Sequence, residues 1–108
     1  MTTINSKQRT IARENVLKVL YQQNLNEYTF SDILKTFIEK RKYDKDYFEN
    51  IILLIEKNNQ KIVSFIEDNT DLKLESLIPV DKSILMLSVC ELIYRSDVPK
   101  KVILNESI

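Results

Sequence analysis

No glycine occurs anywhere in the 108 residues, and that absence constrains the backbone more than any residue that is present. Glycine is the default wherever the chain must turn through positive φ, so tight two-residue β-hairpins lose their usual turn residue. The glycine-rich cradles that bind nucleotide phosphates disappear for the same reason. Extended segments with apolar residues at helical spacing remain, and the expected fold class is all-α. Histidine is also missing and Cys90 is the single cysteine. A Ser-His-Asp triad, a histidine metal site, an internal disulfide and a CxxC clamp therefore cannot be assembled in their usual forms. Neither an enzyme nor a cofactor is expected. Cys90 is expected to pack in the core.

The periodicity divides the chain into helices. Residues 6–25 can begin with Ser6 as N-cap and carry Ala12, Val16, Val19 and Leu20 on one side. After a polar connection at 26–29, the residues Phe30, Ile33, Leu34, Phe37 and Ile38 fit one face of a second helix. Turn and cap residues at 43–46 precede Phe48, Ile51, Ile52, Ile55, Ile62 and Ile66, which predict one long helix or two nearly collinear ones broken near Asn58 and Asn59. The polar stretch 68–76 offers Leu72, Leu74 and Leu77 to the core, and Pro79 suits the first turn of a further helix. Residues 80–94 are apolar almost all round, which predicts a central buried helix with a polar stripe of Asp81, Ser88, Glu91 and Arg95 facing water or a partner. Ser96, Asp97 and Pro99 then start a last segment, 99–108, that carries no stop signal.

Sixteen basic and sixteen acidic residues leave a formal net charge of zero, so a polyanion site must be a local patch. Lys7, Arg9, Arg13 and Lys18 stand against Glu14 alone near the N-terminus. Arg9 and Arg13, four residues apart, project from one side of the first helix, where two guanidinium forks suit neighbouring phosphates or a stacked base. The plain alternative is a solvated helix face with ordinary surface pairs. Lys40, Arg41, Lys42 and Lys45 are offset by Glu39, Asp44 and Asp46 and read as a helix-end charge cluster. The five tyrosines read mainly as core-edge residues with their hydroxyls in water. No run reaches the length of about eighteen apolar residues that a membrane span needs, and a cytoplasmic protein is expected.

The segment PVDKSILMLSVCELIYRSDVPKKVILNESI, from Pro79 onward, closely resembles the NusB family in its ELxYR-like run and DVPxKVxINEA-like helix start. ARENVLKVLYQ and YFENIILLIEKN resemble the family's first and third helices, so the likeness spans nearly the whole chain in the right order. The resemblance implies a transcription antitermination or termination factor that binds boxA-like RNA together with the NusE-type ribosomal protein, acting indirectly on the RNA polymerase elongation complex. RNA contact is then expected at Lys7, Arg9, Arg13 and Lys101, with Thr10 and Ile11 standing where further basic residues are common. Partner contact is expected at Tyr21, Glu75 and Asp81. Family members continue through one more helix with an FINGVLD-like motif. The expectation is thus a single NusB-like helical bundle over 1–108, of about five to six helices, truncated within its penultimate helix, with an exposed C-terminal apolar surface open to self-association. Two other readings stand beside it: an RNA-recognition module related to RNA cytosine methyltransferases, and a helical protein-interaction module that has lost RNA binding.

Overall fold

The computed structural model describes residues 6–95, and among them it holds four α-helices, one 3-10 turn and no strand. The elements run α1 (Ser6–Asn26), α2 (Phe30–Thr36), α3 (Lys45–Asn69), the 3-10 turn Leu74–Ser76 and α4 (Pro79–Tyr94). The all-α expectation holds, although the described α-helices number four where five to six were anticipated. The helix expected at 99–108, with its apolar surface and Lys101, lies outside the described residues.

Helix α1 packs against α2, α3 and α4, and α3 packs on α4. Ala12, Val16, Val19 and Leu20 of α1 are wholly buried with Ile51, Ile55 and Ile62 of α3 and Cys90 of α4. Burying each of those isoleucines contributes about 1.5–3 kcal/mol. Burial also pushes the Cys90 thiol up to about 12, which keeps it protonated and in its expected packing role.

The missing glycine shows at the end of α1. Glu27 takes φ 58°, the left-handed conformation that usually closes a helix on glycine, and its amide donates to the Gln23 carbonyl at 3.0 Å. Thr29 then caps α2, its hydroxyl accepting from the Asp32 amide at 3.1 Å. That helix is shorter than its apolar pattern predicts. Phe37 leaves the helix at ψ 128° and stacks on Phe48 with ring centroids 5.4 Å apart, so Ile38 is carried out to 79% exposure instead of joining the buried face.

Asp44 caps α3 by accepting from the Tyr47 amide at 3.1 Å. Its own amide donates to the Gln8 carbonyl at 3.2 Å, which ties the start of α3 to the start of α1. The break expected near Asn58 is a kink inside one helix: Asn58 sits at φ −113°, ψ 21°, and its side-chain amide donates to the Leu54 carbonyl at 2.9 Å. Leu74 is buried and Leu77 half-buried below the connection, whereas Leu72 stays exposed. Helix α4 starts with Pro79 in its first turn, as expected. It is not buried all round, because Val80, Leu92 and Ile93 are each more than two-fifths exposed.

Candidate functional site

The N-terminal half of α1 carries the cationic residues. Lys7 is exposed, and the Arg9 side chain is about one-third exposed while its Nε donates to Asp44 Oδ2 at 3.1 Å. Arg13 lies elsewhere. Its side chain is buried, and Nη2 donates to Glu91 Oε1 at 2.6 Å across the α1–α4 interface. The paired forks expected on one open side of the helix are thus divided: Arg9 reaches the rim and Arg13 faces inward, because a buried carboxylate needs a charged partner.

That carboxylate also corrects the polar stripe expected on α4. Glu91 is wholly buried and Ser88 nearly so, leaving Asp81 as the stripe's solvent-exposed member and Arg95 half-buried. The Tyr47 hydroxyl donates to Glu91 Oε2, so this tyrosine, expected at a core edge with its hydroxyl in water, is instead 2% exposed and bonded inside. Burial first, and then the bond to Glu91, push its phenol well above the ordinary tyrosine range and keep it a neutral donor. The guanidinium carbons of Arg9 and Arg95 both lie over the Tyr47 ring, 3.9 and 4.4 Å from its centroid. Arg95 further donates from Nη1 to Asn50 Oδ1 at 2.7 Å.

The basic run beyond α2 forms a separate network. Lys40, Arg41 and Lys42 lie in the connection to α3 rather than at a helix end, whereas Lys45 opens α3. Arg41 binds Glu39 at 2.7 Å and Glu14 at 3.1 Å, and Lys18 approaches Glu39 at 3.9 Å. Hydrogen bonds from the Arg41 side chain and amide hold the Glu39 carboxyl down at about 2.

Towards the other end of α1, an apolar groove of about 230 Å³ opens against α4, lined by Leu17, Tyr21, Val80, Ser83 and Ile84. Asn24 donates to Ser83 Oγ at 3.0 Å and joins the two helices there. Tyr21 is 39% and Val80 47% exposed. Ile84 also walls an adjoining depression that contains Asp81 with Leu72, Leu77 and Leu85. Ile84 is therefore shared by the groove at Tyr21 and the depression at Asp81. Glu75, exposed on the 3-10 turn, lines a different depression with Glu67, Lys73 and Lys82. Among the described residues no group of histidine, cysteine and acidic side chains is placed to hold a metal ion, and no helix is long and apolar enough to cross a membrane.

The sequence model of the NusB family matches residues 10–108. The chain belongs to the NusB family. It is 40% identical over 101 residues to the transcription antitermination protein NusB of Listeria welshimeri, covering 93% of this chain and 77% of that protein. The NusB proteins of Clostridium novyi and Clostridium perfringens are 37% and 34% identical over 106 residues, with 80% and 78% of their lengths covered.

In this chain the position at Ile11, where the resemblance places a further basic residue, is 6% exposed and turned into the protein. Thr10 is exposed and its hydroxyl donates to the Ser6 carbonyl at 2.9 Å. Sequence reasoning gave Tyr47 and Asp44 no part in arranging the arginines and did not name Asn50. One signal was available for Glu91, a lone acid well inside an otherwise apolar helix, since such a residue requires a buried cation or donor.

Proposed function

We propose that the chain is a non-catalytic transcription antitermination factor of the cytoplasm, which holds boxA-like RNA at the cationic edge of α1 and the NusE-type ribosomal protein at the α1–α4 groove. Through that pair it acts on the RNA polymerase elongation complex. The observation that carries this reading is the separation along one helix of the exposed or half-exposed cations Lys7 and Arg9 from Tyr21 and its apolar groove. Arg9 and Tyr21 are twelve residues apart, about 18 Å along the axis, so RNA and protein are bound side by side without competing. Lys7 and Arg9 meet the RNA backbone, joined by Lys101 from the segment after α4, and Arg13 holds α1 in place from within. Tyr21 and Val80 form the apolar centre of the partner site, and Asp81 supplies a charged rim, the usual anatomy of a protein interface. Glu75 lies at a separate margin of that site.

The inward turn of Arg13 favours one competitor, a protein-interaction module that does not bind RNA. Titrating boxA-like RNA with and without the NusE-type protein at fixed salt distinguishes the two. Partner-enhanced RNA binding, reduced by Arg9→Gln and lost with the partner in Val80→Asp, supports the antitermination reading. Tight partner binding with no gain in RNA affinity refutes it. RNA binding by the chain alone, unaffected by the partner, points instead to a module related to RNA methyltransferases.

A further inference from the structure

A groove of about 520 Å³, more than twice the volume of the one at Tyr21, lies between α2 and α3 and shares no residue with it. Helix α2 packs chiefly on α1 and stands away from α3, and just beyond its end Phe37 reaches across to Phe48. The buried Phe30 and Ile52 form the floor of the gap, and Leu34 and Leu53, 38% and 59% exposed, form its walls. Three exposed charges line the same groove: Lys35 from α2, and Glu49 and Glu56 from α3. Among the described residues none of these three is in an ion pair. Glu14, Glu39 and Asp44, by contrast, each meet an arginine. Seven residues make two helical turns, so Glu49 and Glu56 lie about 10.5 Å apart along one face of α3, with Leu53 between them.

We infer that this groove receives an amphipathic α-helix of a protein partner, with an apolar inner face, cations seven residues apart on the edge towards α3 and an acid on the edge towards α2. The matching repeat is the physical reason. A helix laid alongside α3 has the same rise per residue, so one heptad sets two cations against both carboxylates at once. Its apolar stripe covers Leu34 and Leu53, the packing by which a groove between two helices takes a third. Charge then selects direction, because the reversed helix would set cations against Lys35 and its acid against two carboxylates. A second copy of this chain fits less well, since two exposed leucines fall far short of the roughly 800 Å² that each copy of a stable dimer buries. A single helix needs no more than the groove. The inference is independent of the RNA and NusE-type readings, because the groove uses neither the cationic edge of α1 nor the surface at Tyr21.

The test uses the full chain and two synthetic two-heptad helical peptides, both with leucine at the a and d positions. One carries lysine at g and glutamate at e, and the other carries glutamate at both. Amide chemical shifts locate the binding, and titrations across a salt series measure it. The lysine-bearing peptide is expected to bind about tenfold more tightly, through two exposed ion pairs gained and two repulsions avoided. Its shifts should fall at Ser31, Leu34 and Leu53. Leu53→Gln should weaken it about fivefold while leaving affinity for RNA and for the NusE-type protein unchanged. Glu49→Lys with Glu56→Lys should invert the preference between the peptides, which an apolar surface alone cannot do. Equal affinity for the two peptides, a preference that survives the double substitution, shifts confined to residues outside α2 and α3, or no binding overturns the inference. A concentration-dependent dimer in sedimentation that Leu53→Gln abolishes also overturns it, by giving the groove to a second copy. Should the double variant fail to fold, salt decides: the advantage of the lysine-bearing peptide must shrink as salt rises, and an advantage independent of salt overturns the inference.

Discussion

Replacing Arg13 with methionine isolates the buried charge at the centre of the fold. The Arg13 and Glu91 side chains are 4% and 0% exposed, and their closest atoms are 2.6 Å apart. At an effective dielectric of about 20 such a pair attracts by roughly 6 kcal/mol, but each ion loses several kcal/mol of hydration on burial, so the intact pair contributes little net stability. Removing only the cation is different, because Glu91 remains buried without the opposite charge of Arg13 to offset its desolvation. Arg13→Met should therefore cost about 3–5 kcal/mol, a fall in Tm on the order of 15–30 °C for a domain of this size. A triple variant, Arg13→Met with Tyr47→Phe and Glu91→Leu, removes the buried carboxylate together with the two groups that bond it and should recover to within about 1 kcal/mol of wild type or better. Urea unfolding followed by circular dichroism measures all three proteins. An Arg13→Met loss below about 1 kcal/mol, or a triple variant no more stable than the single one, refutes this account of the core.

Two further outcomes follow from the connections of α1 and α2. Glu27→Gly should raise the urea midpoint, since relief of about 1–2 kcal/mol of left-handed strain exceeds the roughly 0.5–1 kcal/mol added to the entropy of the unfolded chain; a lowered midpoint contradicts the conformation at Glu27. Glu39 has a folded-state pKa of about 2, below its ordinary value of 4.5, so the folded protein holds fewer protons there than the unfolded chain at intermediate pH. Its contribution is fully present above about pH 5 and is lost as pH falls towards 2. The stability difference between wild type and Glu39→Gln should accordingly be flat above pH 5 and shrink below it, and a difference that grows on acidification excludes the Arg41 pairing.

The helices were legible because their signals are local. Val16, Val19 and Leu20 repeat within one segment, Pro79 marks a start, and the paired asparagines mark the kink in α3. Motif resemblance likewise indicated the family from residues that lie close together in sequence. The end of α2 was not legible, since it depends on Phe37 meeting Phe48, eleven residues away across a non-helical connection. Tyr21 and Asp81 were both named from the resemblance, and only the packing of α1 on α4 shows that Ile84 lines both the groove at Tyr21 and the depression at Asp81. The polar stripe on α4 failed at Glu91 because its outward direction was assumed from α4 alone.

By itself, the sequence determined an all-helical chain without glycine-dependent turns or histidine chemistry, with a cationic start and a near-neutral whole. Those properties depend on residue type and short-range spacing. Tertiary structure decided which charges face water. Arg9 and Arg13 stand one helical turn apart, yet Asp44 and Tyr47 hold the first at the rim while Glu91, 78 residues further along the chain from Arg13, draws the second inside. A guanidinium's surroundings are set by what packs against it, and no local pattern encodes a partner so distant in sequence.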